Sequence, residues 1–159
     1  MEIQNKEFHR VVSTAIIYKK ENGVFRYLIT KRSLAKKAFP GKWTVPGGGL
    51  QIDDYINTPK TDQDNWYFAL EKSLRREIKE EVNIEVGKLQ YLLDLTFIRP
   101  DGIPVLVLSF YCPYTLGEVS LRDEENIDFA WVTLEEAKTY DLVEGLLGEI
   151  EMTDRIVNS

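Results

Sequence analysis

The chain contains only one cysteine and one histidine among its 159 residues. A single cysteine, Cys112, excludes an internal disulfide and is typical of a reducing compartment. His9 and Cys112 each lack a partner at metal-binding or catalytic spacing, so a Ser–His–Asp or Cys–His mechanism is not expected. We therefore predict a cytoplasmic protein whose chemistry rests on other residue types.

The sequence also lacks an apolar run of membrane length, a targeting signal, internal repeats and an interdomain linker. We expect one domain over residues 1–159, with no membrane partner. Lys and Arg number 20 against 26 Asp and Glu, and the net charge is −6. This balance argues against binding to nucleic acid polymers, which requires a basic surface. A small anionic ligand would instead need a metal and a few local cations.

Alternating apolar residues and turn signals predict a mixed sheet with helices packed on it. Thr133 and Glu136 form a capping-box pattern at the start of one helix. The expected strands cover residues 11–19, 25–31, 43–45, 84–98 (one or two strands), 104–111 and 129–132, and the expected helices cover residues 66–82, 133 onward and 143–151.

The predicted helix over residues 66–82 has an unusual distribution of charge. At 100° per residue, Glu77 and Glu81 project beside the apolar face, toward the protein body, and Glu80 flanks the same side. Lys72 and Lys79 fall on the opposite, solvated face. The apolar face consists of Leu70, Leu74, Ile78 and Val82.

Three carboxylates at the inner edge of one helix repel one another, and at least one should hold its proton to a raised pH. Magnesium removes this conflict, because it takes oxygen ligands and keeps waters for substrate phosphates. The pattern therefore indicates a metal–phosphate site. The alternative is a charged surface helix with internal ion pairs, such as Arg76 with Glu80.

The segment from Arg76 to Ile84 resembles the second half of the signature of the Nudix hydrolases. That signature reads glycine, five residues, Glu, seven residues, then Arg-Glu-aliphatic-x-Glu-Glu-x-Gly-aliphatic. The segment from Gly41 to Leu50 is similar to the strand and glycine turn that open the signature. The resemblance extends over roughly residues 11–142 and implies an α/β/α sandwich with a mixed β-sheet, an α+β arrangement.

The match departs from the signature in its middle. Gly48 and Arg76 are separated by 27 residues, so an insertion of about 14 residues is expected, spanning 51–65 as a polar loop. Phe68 stands where the first Glu is expected eight residues before the Arg, and Asp62 or Asp64 of the loop could replace it. Asn83 replaces the late glycine, and it can still end a helix in the left-handed conformation.

The resemblance implies that Glu77, Glu80 and Glu81 bind Mg²⁺, with Mn²⁺ as an alternative ion, and that Glu77 or Glu80 accepts the proton of the attacking water. Arg76 would hold one of these carboxylates in its ligating rotamer. Glu125 is the expected further metal ligand, with a solvated acidic turn as the alternative. The backbone that approaches the bound phosphate would be that of Gly47, Gly48 and Gly49.

Several other residues have two possible roles each. Trp43 is either a core residue or a platform for the base. Lys31, Arg32, Lys36 and Lys37 are either phosphate contacts or an exposed basic loop.

The predicted activity is hydrolysis of a nucleoside triphosphate, a deoxynucleoside triphosphate or a related diphosphate, by water attack on the pyrophosphate. ADP-ribose or another nucleotide sugar is the alternative substrate, which Pro100 would favour if it did more than form a turn. A catalytically weak nucleotide-sensing domain is the alternative from another class. The partner is a small nucleotide, and a homodimer is compatible with the family.

Overall fold

The computed structural model describes residues 6–122 and 124–159. It has eight strands and three α-helices, which confirms the predicted α+β class. The strands are β1 (Arg10–Glu21), β2 (Val24–Arg32), β3 (Trp43–Thr44), β4 (Gly47–Gly49), β5 (Glu85–Val86), β6 (Gln90–Ile98), β7 (Pro104–Leu116) and β8 (Asn126–Val132), and the helices are α1 (Ala69–Val82), α2 (Leu134–Ala137) and α3 (Leu146–Val157).

All eight strands belong to one mixed sheet, in which β3, β2, β1, β7 and β5 are successive neighbours. β1 and β7 pair in parallel, with Thr14 opposite Ser109. β1 pairs antiparallel with β2 and with the short glycine strand β4. β6 pairs with β7, and β8 pairs with β2. The glycine strand therefore lies beside the central strand, near the start of β1.

Helices cover both faces of the sheet. Successive residues of β1 point to opposite faces and therefore pack against different helices. Ala15 and Ile17 pack in the same apolar cluster as Leu74 and Ile78 of α1. Ile16 packs in the second cluster, which contains residues of α2 and α3 such as Ala137 and Ile150. This arrangement is the predicted α/β/α sandwich.

Helix α1 begins at Ala69, three residues later than the predicted start at residue 66. Phe68 has a φ of +62°, in the left-handed region that interrupts a right-handed helix. At the other end Asn83 has a φ of +56° and donates its N–H to the carbonyls of Ile78 and Lys79. The prediction that Asn83 closes the helix in the left-handed conformation is confirmed.

The chain between β4 and α1 folds on itself. It starts with a 3-10 turn, Ile52–Asp54, and continues through turns to Phe68. The rings of Tyr55 and Trp66 lie 5.4 Å apart, and the Trp66 Nε1–H donates to the Thr58 carbonyl over 2.8 Å. Asp62 accepts the N–H groups of the two residues that precede Trp66. The predicted polar loop is thus a compact loop with its own contacts.

Several predicted boundaries differ from the structure, among them the start of β8 at Asn126 instead of residue 129 and the end of α3 at Val157 instead of residue 151. The last helix begins at Leu146 instead of residue 143, because Gly145 has a φ of +88° and acts as its N-cap. Strand β7 continues to Leu116, since its far half pairs with β1 and β5. One or two strands are expected over residues 84–98, and the structure has two, β5 and β6. The capping box of Thr133 and Glu136 is confirmed.

In the described residues no helix is long and apolar enough to cross a membrane.

Candidate active site

Two carboxylates of α1 face the glycine strand. Gly47 donates its N–H to Glu81 Oε2 over 3.2 Å. At Gly48 a β-carbon would lie 2.4 Å from the carboxylate carbon of Glu77, so only glycine leaves room for this carboxylate. The Glu77 side chain is 13% exposed, and Glu81 is buried. The helix periodicity predicted this inward placement, because both residues lie one step from the apolar face.

Glu80 lies farther out, with 57% of its side chain exposed. Arg76 links it to Glu77: one Nη1 group donates to Glu77 Oε1 over 3.0 Å and to Glu80 Oε2 over 3.1 Å. The predicted Arg76–Glu80 ion pair is therefore present, but it belongs to a larger network. The guanidinium is 27% exposed, which fits a group that holds neighbouring carboxylates in place.

The other edge of the Arg76 guanidinium binds Asp54. Nε donates to Asp54 Oδ1, and Nη2 donates to Oδ2 over 3.2 Å. The Asp54 side chain is 2% exposed and also accepts the N–H of Gln51 over 2.8 Å. The hydrogen bond from Arg76 lowers the pKa of Asp54 below its ordinary value, although burial opposes this. Asp54 is thus held as a carboxylate at the base of the site.

Asp54 corrects the prediction that the first acidic residue of the signature is missing. Counted forward from Gly48, five residues are followed by Asp54, which is the spacing of the signature with Asp in place of Glu. The 14 extra residues therefore follow Asp54 and precede Arg76. Asp62 and Asp64 do not serve as the substitute, since Asp62 supports a turn within the loop and Asp64 is exposed. Counting forward from the glycine would have identified Asp54.

The pKa of Glu77 reflects mainly its burial and, to a smaller extent, the like charges around it. Burial raises its pKa above the ordinary value, Arg76 opposes this, and the charges of Glu80 and Glu125 raise it further. In residues 6–122 and 124–159, no three acidic, His or Cys side chains lie close enough together to hold a metal ion as they stand. Arg76 contacts both Glu77 and Glu80. An ion bound by Glu77, Glu80 and Glu81 together would therefore require these side chains to change rotamer.

The residues nevertheless suit a hard divalent cation. The groups around the glycine strand are carboxylate oxygens, and their mutual repulsion favours a cation among them. The Gly48 gap leaves the Glu77 carboxylate directly against the backbone. The site thus provides the oxygen ligands that the predicted ion needs and places one of them beside the glycine backbone.

Glu125 is the residue before β8, and its charge acts on Glu77. Its Oε1 lies 2.8 Å from Lys36 Nζ, and its carbonyl accepts the Ser33 N–H over 2.8 Å. Arg32 donates to the Ala38 carbonyl over 2.9 Å. Two of the four predicted phosphate-contacting cations, Lys36 and Arg32, thus also hold the loop after β2.

Trp43 and Pro100, two further candidates, have structural contacts, and no chemistry is expected of His9 and Cys112. Trp43 packs against Tyr140 with ring centroids 4.9 Å apart, which confirms the core reading. Pro100 lies in the β6–β7 hairpin, whose turn is closed by a hydrogen bond from the residue before it to Ile103. His9 is exposed, and its Nδ1 lies 3.1 Å from a backbone carbonyl. Cys112 is buried, and burial raises the pKa of its thiol to about 12.

Comparison with known sequences places the chain in one family. The sequence profile described as "NUDIX domain" matches residues 7–150. The nucleoside triphosphatase NudI of Klebsiella pneumoniae (strain 342) is 32% identical over 127 residues, which cover 73% of this chain and 79% of that protein. NudI of an Escherichia coli strain is 31% identical over 127 residues, with the same coverage.

Solved structures show the same fold. The Nudix domain of Shewanella oneidensis NrtR, in complex with ADP ribose, superposes with a TM-score of 0.74 at 15% identity, covering 96% of this chain and 90% of that one. A MutT Nudix hydrolase from Burkholderia pseudomallei gives 0.68 at 22% identity, covering 92% and 98%. With a matching family profile over residues 7–150, the chain belongs to the Nudix family of hydrolases, which act on pyrophosphate bonds.

Proposed function

We propose that this protein is a divalent-metal-dependent pyrophosphohydrolase of nucleoside triphosphates or deoxynucleoside triphosphates. The observation that carries the proposal is the placement of Glu77 and Glu81 against the glycine strand, where Gly48 leaves no side chain between carboxylate and backbone. The nucleoside triphosphatase activity named for the NudI relatives supports the triphosphate class.

Glu77, Glu80 and Glu81 are the proposed ligands of Mg²⁺ or Mn²⁺, with Glu125 as a further ligand from the start of β8. When bound, the ion neutralises phosphate charge and lowers the pKa of the attacking water. Catalysis of this reaction consists mainly of charge neutralisation and alignment, because a polyphosphate repels a negatively charged nucleophile.

Each residue of the site has one role in this scheme. Glu80 accepts the proton of the attacking water, because its carboxylate is the exposed member of the trio. Arg76 orients Glu77 and Glu80 through its Nη1 group. Asp54 holds the opposite edge of the same guanidinium and is itself fixed by the Gln51 N–H. The glycine backbone lets the phosphate chain approach closely.

A hydrolysis panel tests the proposal directly. The protein is incubated with the four ribonucleoside triphosphates, the deoxynucleoside triphosphates and ADP-ribose, with Mg²⁺, with Mn²⁺ and with a chelator. We expect metal-dependent release of pyrophosphate or phosphate from at least one triphosphate, and product identification locates the cleaved bond. Absence of turnover from every triphosphate with either ion would refute the proposal.

The same panel decides between the two alternatives. Turnover of ADP-ribose alone would make the protein a nucleotide-sugar hydrolase. No turnover, together with a rise in melting temperature on adding a nucleotide, would identify a nucleotide-sensing domain. The presence of Asp54 at the signature position weakens one of the two grounds for the sensing alternative, Phe68 in place of that carboxylate, and leaves the other, the insertion.

A further inference from the structure

Gly48 and Gly49 face opposite sides of the sheet, as successive residues of a strand do. A β-carbon at Gly48 would meet the carboxylate of Glu77. A β-carbon at Gly49 would instead lie 2.5 Å from Nη2 and 2.7 Å from Cζ of Arg10. The glycine strand thus separates an acidic group on the α1 face from a guanidinium on the α3 face.

The backbone of Arg10 is fixed although its side chain is exposed. Arg10 is the first residue of β1 and pairs with Val105 of β7. The next residue, Val11, accepts the N–H of Leu50 over 2.8 Å, which ties the start of β1 to the end of β4. The guanidinium is therefore delivered to the glycine strand from a rigid element, which favours precise contacts with a ligand.

The guanidinium of Arg10 has no anionic partner in the part of the chain that is described, residues 6–122 and 124–159, where it forms neither a hydrogen bond nor an ion pair. Two other cations near the site are engaged by carboxylates. Arg76 binds three carboxylates, and Lys36 pairs with Glu125. In a protein with a net charge of −6, an unpaired cation beside the candidate phosphate site is available for an anion.

We propose that Arg10 binds a substrate phosphate group on the α3 face of the glycine strand, next to the phosphate that the carboxylate side holds through its ion. This inference rests on the proposed function. A guanidinium presents two parallel N–H donors that match phosphate oxygens. Because Gly49 has no side chain, the guanidinium lies directly on the strand, within reach of a phosphate chain that passes the edge of β4 opposite its pairing with β1.

The first test compares Arg10→Gln with Arg155→Gln, which removes the same charge from an exposed position of α3. For a triphosphate that the wild-type protein hydrolyses, we expect Arg10→Gln to raise KM at least about tenfold, with a smaller change in kcat, as for loss of a charged hydrogen bond. Arg155→Gln should leave both parameters unchanged. Equal KM values for Arg10→Gln and the wild type would overturn the proposal.

A rescue variant separates a phosphate contact from a structural role. A lysine at position 49 would extend into the space that the Arg10 guanidinium occupies. The double variant Arg10→Gln/Gly49→Lys should therefore regain much of the affinity lost in Arg10→Gln. Failure of rescue in a folded double variant, with KM still as high as in Arg10→Gln, would contradict direct binding of phosphate.

Binding measurements keep this inference distinct from the proposed hydrolysis. The probe is an α,β-methylene deoxynucleoside triphosphate, titrated calorimetrically in the presence of Mg²⁺. We expect Kd to increase at least about tenfold in Arg10→Gln and to stay unchanged in Arg155→Gln, whether or not any substrate is turned over. Equal affinity of Arg10→Gln and the wild type, or no binding by the wild type, would overturn the role of Arg10.

Discussion

Asp54 and Arg76, 22 residues apart in the sequence, form a two-point ion pair at the base of the candidate site. The pair joins the residue just before the inserted segment to the helix that carries the proposed metal ligands. It also fixes the guanidinium whose other edge contacts Glu77 and Glu80. The geometry of the acidic helix therefore depends on a residue outside it.

Replacing Asp54 with Ala should reduce both stability and activity. The free energy of unfolding should fall by about 1–3 kcal/mol, because a hydrogen-bonded partner of a half-buried charge is removed. Turnover should fall by about ten- to a hundredfold, as for loss of a residue that orients a ligand. Urea denaturation and initial rates measure the two effects. The exposed neighbour gives the control: Asp53→Ala should change neither quantity, and an equal loss in both variants would contradict the role of Asp54.

Replacing Glu80 with Gln should abolish turnover while the fold persists. The side chain is 57% exposed, so its loss of charge has little effect on packing. We expect kcat to fall by at least about a hundredfold, with the free energy of unfolding within about 0.5 kcal/mol of the wild type. Rates and thermal melts with and without Mg²⁺ check both. Full activity in this variant would show that the proposed base and ligand set is wrong.

Replacing Gly48 with Ala should displace Glu77. The new β-carbon would lie 2.4 Å from its carboxylate, so the carboxylate must move away from the glycine strand. We expect a loss of turnover of about tenfold or more and weaker stabilisation by Mn²⁺ in thermal melts. Gly148→Ala is the matched control, since a β-carbon there meets nothing within 4 Å. Unchanged kinetics in Gly48→Ala would mean that Glu77 does not need this position.

Glu149 gives a pH-dependent prediction away from the candidate site. Its carboxylate packs toward β7 and accepts a hydrogen bond from Ser109 Oγ over 2.5 Å. Burial raises its pKa, although the Ser109 bond opposes this. The folded state therefore prefers the protonated form, and folding stability is lost as pH rises from the ordinary pKa through the raised one.

Replacing Glu149 with Gln removes this loss of stability. Relative to the wild type, the variant should be more stable at about pH 7.5 than at about pH 4, because only the wild type carries a buried charge at the higher pH. Urea denaturation at both pH values measures the difference. A variant whose relative stability is the same at both pH values, or higher at the acidic one, would contradict the assignment.

The sequence predicted the acidic helix well because its evidence is local. The periodic placement of Leu74, Ile78 and Val82 determines which side faces the core, and the carboxylate positions follow from the helix geometry. The start was misplaced because the left-handed conformation of Phe68 depends on the loop before it, and an aromatic residue gives no local signal for that conformation.

Contacts between distant positions were harder to predict. Asp54 lies at the signature spacing from Gly48, but the insertion separates it from Arg76, so the same spacing measured back from Arg76 leads to Phe68 instead. Arg10 could not have been linked to Gly49 by any local pattern, since the pairing of β1 with β4 brings them together. Glu125 is proposed from its place before the last strand; its charge raises the pKa of Glu77, and its role as a metal ligand stays a prediction.

The extra residues follow Asp54 and fold against themselves through Tyr55 and Trp66. Asp54 precedes the loop and binds Arg76 of the acidic helix. The position of that helix therefore depends on this ion pair and not on the length of the loop. The exposed Gln63 of this loop is accordingly a natural attachment point for a fluorescent label, because Asp62 beside it keeps the hydrogen bonds that hold the turn.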